Sequence, residues 1–135
     1  MLTALLQEAV HAGRTVRVRA RGGSMHPLIP DGSVVELAPV HRPLRVGDVV
    51  AAARGDDLLI HRVVGLGDPV ALKGDANGGR DGGVAPGDVF ALARRVSTPR
   101  GLVMRLDTPG AALVGRLAAR VSLVRERWVR FSRKF

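Results

Sequence analysis

Three kinds of polar side chain in this sequence could do acyl-transfer chemistry together: the hydroxyl of Ser24, the imidazole of His61 and the carboxylate of Asp75 or Asp81. Ser24 lies in Gly22-Gly23-Ser24-Met25-His26-Pro27-Leu28. A serine nucleophile must be exposed, and a substrate backbone must be able to lie beside it. The two glycines ahead of Ser24 thin the chain at that point. Pro27 stiffens the next part of the loop and biases His26 towards an extended conformation. Gly23, Ser24 and Met25 are the backbone expected to face a substrate, and the Ser24 N–H is the candidate donor to an oxyanion. A Gly-Gly-Ser turn with no chemistry has the same composition, so the serine gains meaning only from its partners.

A neutral hydroxyl is a poor nucleophile and needs a base. His61 sits in Leu58-Leu59-Ile60-His61-Arg62-Val63-Val64, where period two puts Leu59, His61 and Val63 on one face. Burial among Leu and Val disfavours the imidazolium and leaves the ring able to accept a proton near neutral pH. A core histidine bonded to a backbone carbonyl would share this pattern. His26 is nearer in sequence, but an extended chain holds it roughly 7 Å from Ser24 at Cα, at ~3.3 Å of rise per residue. His11 and His41 have no partner pattern, and four scattered histidines without cysteine predict neither a metal site nor a cofactor. Lys73 is a second candidate base, since a desolvated lysine can serve a serine. It opens Lys73-Gly74-Asp75-Ala76-Asn77-Gly78-Gly79-Arg80-Asp81, in which Asp75 and Asp81 compete to orient the histidine.

The elements that must position these groups are short. Leu2, Leu5, Leu6, Ala9 and Val10 recur at helical spacing and Gly13 follows as a stop, which predicts a short N-terminal helix. From 14 to 21 the chain alternates, Val16, Val18 and Ala20 on one face and Arg17, Arg19 and Arg21 on the other. Further strands are expected at 33–37, 48–53, 57–64, 70–73 and 88–96, punctuated by Asp-Gly and Gly-Asp pairs. The fold class is mainly β, a strongly coiled sheet or partial barrel. Beyond Pro99 the pattern changes. Thr108 can cap a helix with Pro109 in its first turn, and Leu113, Leu117, Val121, Val124, Trp128 and Phe131 then share one face of a basic amphipathic helix. Such a helix packs on the sheet or docks on a membrane surface or partner. We expect a body at residues 1–98 and a helical extension at 99–135.

Charge follows the same division. Residues 1–93 carry ten basic and ten acidic side chains, whereas 94–135 carry eleven basic and two acidic ones, the whole of the net +9. An acidic partner is implied, such as an anionic lipid surface contacted through 109–135. Nucleic acid fits less well, because the tail offers only Trp128, Phe131 and Phe135 for stacking. The absence of cysteine fits a reducing compartment. No secretory signal or run of about 20 apolar residues is present, so the expected location is the cytoplasm, peripheral to a membrane.

Taken together, Ser24-Met25-x-Pro27, His61-Arg62-Val63-Val64 and Lys73-Gly74-Asp75-x-Asn77 with Asp81 resemble type I signal peptidases. The likeness is to the archaeal and endoplasmic-reticulum branch, which uses histidine where the usual bacterial enzymes use lysine, and to small bacterial maturation peptidases related to it. It covers about residues 14–95. It implies a coiled all-β catalytic domain, Ser24 as nucleophile, His61 as base, Asp81 as orienting acid and Asp75 as a supporting carboxylate. It also implies a precursor peptide as substrate, a leader or signal-like segment with small residues beside the scissile bond. Gly22 stands where many relatives carry a hydroxyl that assists the oxyanion, and the usual N-terminal membrane anchor is absent. The self-cleaving repressor and polymerase-accessory fold shares the serine motif but pairs it with lysine. A third reading is a non-catalytic peptide- or membrane-binding module.

Overall fold

The computed structural model describes residues 2–23, 25, 28–74, 83–108, 114–117 and 120. Helix α1 (Leu2–His11) precedes eight strands, β1 (Val16–Arg19), β2 (Val34–Pro39), β3 (Val49–Arg54), β4 (Asp57–Gly65), β5 (Val70–Lys73), β6 (Gly83–Val84), β7 (Val89–Ser97) and β8 (Val103–Arg105). All neighbouring strands pair antiparallel, in the order β1-β2-β7-β3-β4-β5-β6. β7 is the spine. β2 runs along one side of it, while β3 and β8 share the other. The register shifts at Glu36/Leu37, Ala51/Ala52 and Val63/Gly65. Each irregularity bends its strand and adds twist, so the sheet curls into a half-barrel. The chain is mainly β, as its alternating runs and turn punctuation require.

Curling leaves two apolar clusters, and β3 feeds both. Val49, Ala51 and Ala53 pack with Val35, Leu37, Phe90 and Val96, whereas Val50 and Ala52 pack with Val63, Val70 and Leu72. Being covered on both faces, β3 reads Val-Val-Ala-Ala-Ala with no polar alternation. Its alanines make room for close packing in a protein with almost no aromatic side chains.

α1 ends in a Schellman arrangement: Arg14 N–H donates to Ala9 O at 3.1 Å, Gly13 N–H to Val10 O at 2.9 Å, and Gly13 takes φ +87°. The helix docks by a different line from the one its leucines suggest. Thr3 and Val10 are buried and Leu6 is half-buried, but Leu2 and Leu5 are 69% and 62% exposed. Thr3 sits inside because its hydroxyl donates to Asp56 O at 2.9 Å in the β3–β4 turn, which satisfies the buried polar group.

In the C-terminal region, residues 114–117 are helical. Gly115 is the residue turned inward there. Leu117, expected on the packing face, is 52% exposed. The other positions of that expected apolar face, Leu113, Val121, Val124, Trp128 and Phe131, lie outside the described residues. β6 and β8, each of two or three residues, were not foreseen.

Candidate active site

The loop that carries Ser24 leaves β1 and returns to β2, and the described residues show how it is closed. Ala20 N–H donates to Ser33 O and Gly32 N–H to Ala20 O, each at 2.8 Å, extending the β1–β2 ladder to the loop's base. Gly22 N–H donates to Asp31 Oδ1 at 2.7 Å across the loop, and Ile29 N–H donates to Met25 O at 2.9 Å. Met25 and Ile29 are 4% and 1% exposed and anchor the loop in the first apolar cluster. Asp31 therefore acts as a brace for the backbone just before Ser24. Asp31→Ala is expected to lower kcat/KM about 10- to 100-fold through mispositioning, whereas Asp31→Asn, which keeps the acceptor oxygen, should retain activity. Equal losses in both variants would show that the brace is not what matters.

His61 comes from the middle of β4, opposite Val50. It is 8% exposed, and its Nδ1 is shut off from solvent. Lys73 ends β5 opposite Arg62 and is fully buried. Opposed residues share a face and successive residues alternate, so Lys73 leaves the β4–β5 pair on the side opposite to His61.

A cleft of about 780 Å³ brings the two halves of the site together. One wall is β1 and its continuation, Arg17 to Gly22 with Met25. The other is Leu58, Leu59, Ile60 and His61 of β4, and Leu2 and Leu6 of α1 close one side. Gly22 and Met25, which lie either side of Ser24 in the chain, thus line the same space as His61. Lys73 does not line it. Ser24, Asp75 and Asp81 lie outside the described residues.

The walls are strand edges. Among the described residues, β1 pairs only with β2, and positions 58–60 of β4 pair only with β3. Because the cleft runs along these edges, consecutive residues line it instead of alternate ones. Each edge presents a row of backbone N–H and C=O groups, the template on which an extended chain adds as a strand.

A family model described as Peptidase S24-like matches residues 2–79, which hold α1, the serine loop, β4 and β5. The chain belongs to the Peptidase S24-like family. Membership gives a serine peptidase-type hydrolase and agrees with the curled all-β sheet. No curated protein and no solved structure matches the chain. Within this S24-like frame, sequence patterning pointed to the serine loop and His61 but missed the other lining residues. Arg17 and Arg19 read as the solvated face of a strand, and Leu2 and Leu6 as ordinary helix core. Their place on the cleft comes from the curl of the sheet, which carries no local signal. Among the described residues there is no cluster able to hold a metal ion and no helix long and apolar enough to cross a membrane.

Proposed function

We propose that the chain is a serine endopeptidase that cleaves a leader or signal-like segment of a precursor, with Ser24 as nucleophile and His61 as base. The observation that carries this reading is the shared cleft, in which the residues flanking Ser24 face His61 between two open strand edges. An extended peptide seated between those edges places a carbonyl beside the serine loop. His61 takes the hydroxyl proton as Ser24 Oγ bonds to the carbonyl carbon, and backbone N–H groups around Gly23 and Ser24 stabilise the oxyanion. Collapse of the adduct breaks the C–N bond, and His61 gives its proton to the leaving amine. Water, deprotonated by the same imidazole, then hydrolyses the ester and frees Ser24.

Asp81 orients His61 and stabilises its charged form, with Asp75 as a supporting carboxylate. These two assignments, and the signal-peptidase branch itself, rest on the resemblance of the motifs. Lys73 is the rival base, and its absence from the cleft lining speaks for His61. Leu2, Leu6, Val18, Leu58 and Ile60 make the cleft apolar enough for the hydrophobic side chains of a leader. The extension at 99–135 is assigned to holding the enzyme at an anionic membrane face or engaging the precursor.

A serine-directed phosphonate probe tests the nucleophile. We expect a stoichiometric adduct on the peptide containing Ser24, none in Ser24→Ala, and labelling at least about 100-fold slower in His61→Ala. Labelling that persists undiminished in Ser24→Ala would overturn the assignment.

A further inference from the structure

A second cleft, about 750 Å³ in volume, shares no described lining residue with the first. It lies between the β2–β3 connection, the middle of β7, the residues that follow β8, and the helical turn at 114–117. Five arginines line it: Arg42, Arg45, Arg62, Arg94 and Arg116. Among the described residues only two carboxylates do, Asp48 and Asp107, so the described lining carries a net charge of +3 with His41 neutral. Arg42, Arg45, Arg62 and Asp48 come from the neutral segment 1–93, and Arg94, Asp107 and Arg116 from the basic segment 94–135.

The arginines fall into two groups. Arg42 is committed to Asp48 through two 2.9 Å bonds, and Arg94 contacts Asp107 at 3.5 Å. Asp107 is held below the usual carboxylate range, first by its hydrogen bond from Arg105. Arg45 and Arg116 are exposed, and among the described residues neither side chain meets a carboxylate. Between them lies Arg62, 2% exposed, whose Nη1 donates to Gly47 O at 2.7 Å. The Arg62 guanidinium is thus fixed to the backbone on the inner side of the cleft, and the exposed guanidiniums of Arg45 and Arg116 are the groups offered to a ligand. That arrangement suits a tetrahedral, multiply charged oxyanion more than a single carboxylate.

The rim favours a headgroup over a soluble phosphate. Val114 and Leu117, either side of Arg116, are 57% and 52% exposed, and Val40, next to the lining residues Pro39 and His41, is 39% exposed. Exposed aliphatic side chains interleaved with arginines match a lipid interface, where apolar groups enter the acyl boundary and arginines hold phosphates. We infer that this cleft binds the phosphate of an anionic lipid headgroup and seats the protein on a membrane surface. The inference does not depend on proteolysis and survives or fails apart from it.

The test is co-sedimentation of the full chain with vesicles of phosphatidylcholine mixed with phosphatidylglycerol, against vesicles of phosphatidylcholine alone. Arg45→Glu/Arg116→Glu is compared with a charge-matched control, Arg14→Glu/Arg100→Glu, whose sites are exposed and outside the cleft. We expect the cleft pair to weaken binding to the anionic vesicles at least about tenfold more than the control pair, because the control removes equal charge without touching the cleft. Arg45→Lys/Arg116→Lys should keep most of the binding, and matched melting temperatures would show that all variants are folded. Equal losses in the cleft and control pairs would overturn the site, leaving diffuse attraction by the basic tail. Cleft-dependent binding of inorganic phosphate with no vesicle binding would overturn the lipid assignment.

Discussion

His61→Ala is expected to lower peptide cleavage by about ten-thousand-fold or more, with the fold intact, matching Ser24→Ala, because the members of a nucleophile–base unit fail together. Lys73→Met, which keeps the volume of a fully buried side chain, should retain cleavage to within about tenfold. The contrast follows from β4 and β5: His61 lines the cleft with Gly22 and Met25, and Lys73 leaves the strand pair on the other side. A dead but folded Lys73→Met protein beside an active His61→Ala protein would reverse the assignment. The pH–rate profile separates the two by another route. An imidazole base gives an acid limb around pH ~6–7, while an amine base holds the limb at more alkaline pH unless strongly perturbed. Circular dichroism on each variant distinguishes a lost base from a lost fold.

The second large effect concerns how the C-terminal region is attached. Gly47 and Gly115 meet backbone to backbone. A Cβ on Gly47 would lie 2.6 Å from the Gly115 carbonyl carbon and 2.7 Å from Arg116 N. Gly47 also has φ +101°, which L side chains rarely adopt. Gly47→Ala is therefore expected to cost about 1–3 kcal/mol and to release the helical turn from the body. Gly115→Ala isolates the contact. Alanine improves helix propensity by about 1 kcal/mol, but its Cβ would sit 2.6 Å from Gly47 O. A net loss of stability in Gly115→Ala, with faster tryptic cleavage at Arg116 and Arg120, is the expected outcome. A stabilised, equally resistant protein would mean that the two glycines do not clamp the region. Arg62 donates to Gly47 O beside this contact, so either variant should also weaken vesicle binding at the arginine cleft.

Residue pattern alone went far with the sheet. The alternation of Val16 and Val18 with Arg17 and Arg19 is the observed burial of β1, and β5 matches its expected span at both ends. These elements were legible because a half-buried strand writes its orientation into every second residue. α1 was legible as a helix but not in its docking, since Leu2 and Leu5 share an apolar stripe with Leu6 and only the neighbouring hairpin selects Thr3 instead. β6 and β8 are too short to carry a period. Their pairing is imposed by β5 and β7.

The chemistry divides in the same way. Residue types and order named Ser24, His61 and two aspartates, because a hydroxyl that must be activated needs a base and the base needs an orienting acid. Which base faces the serine loop was open between His61 and Lys73 on residue type. Strand register puts His61 on the cleft with Gly22 and Met25 and Lys73 on the other side of the strand pair, because side-chain direction on a strand is fixed by pairing and not by composition. The arginine cleft is the clearest case of a feature created by folding. Arg42, Arg45, Arg62, Arg94 and Arg116 are scattered over 75 positions, three in the neutral segment 1–93 and two in the basic segment 94–135, and only the folded chain brings these like charges together at one place.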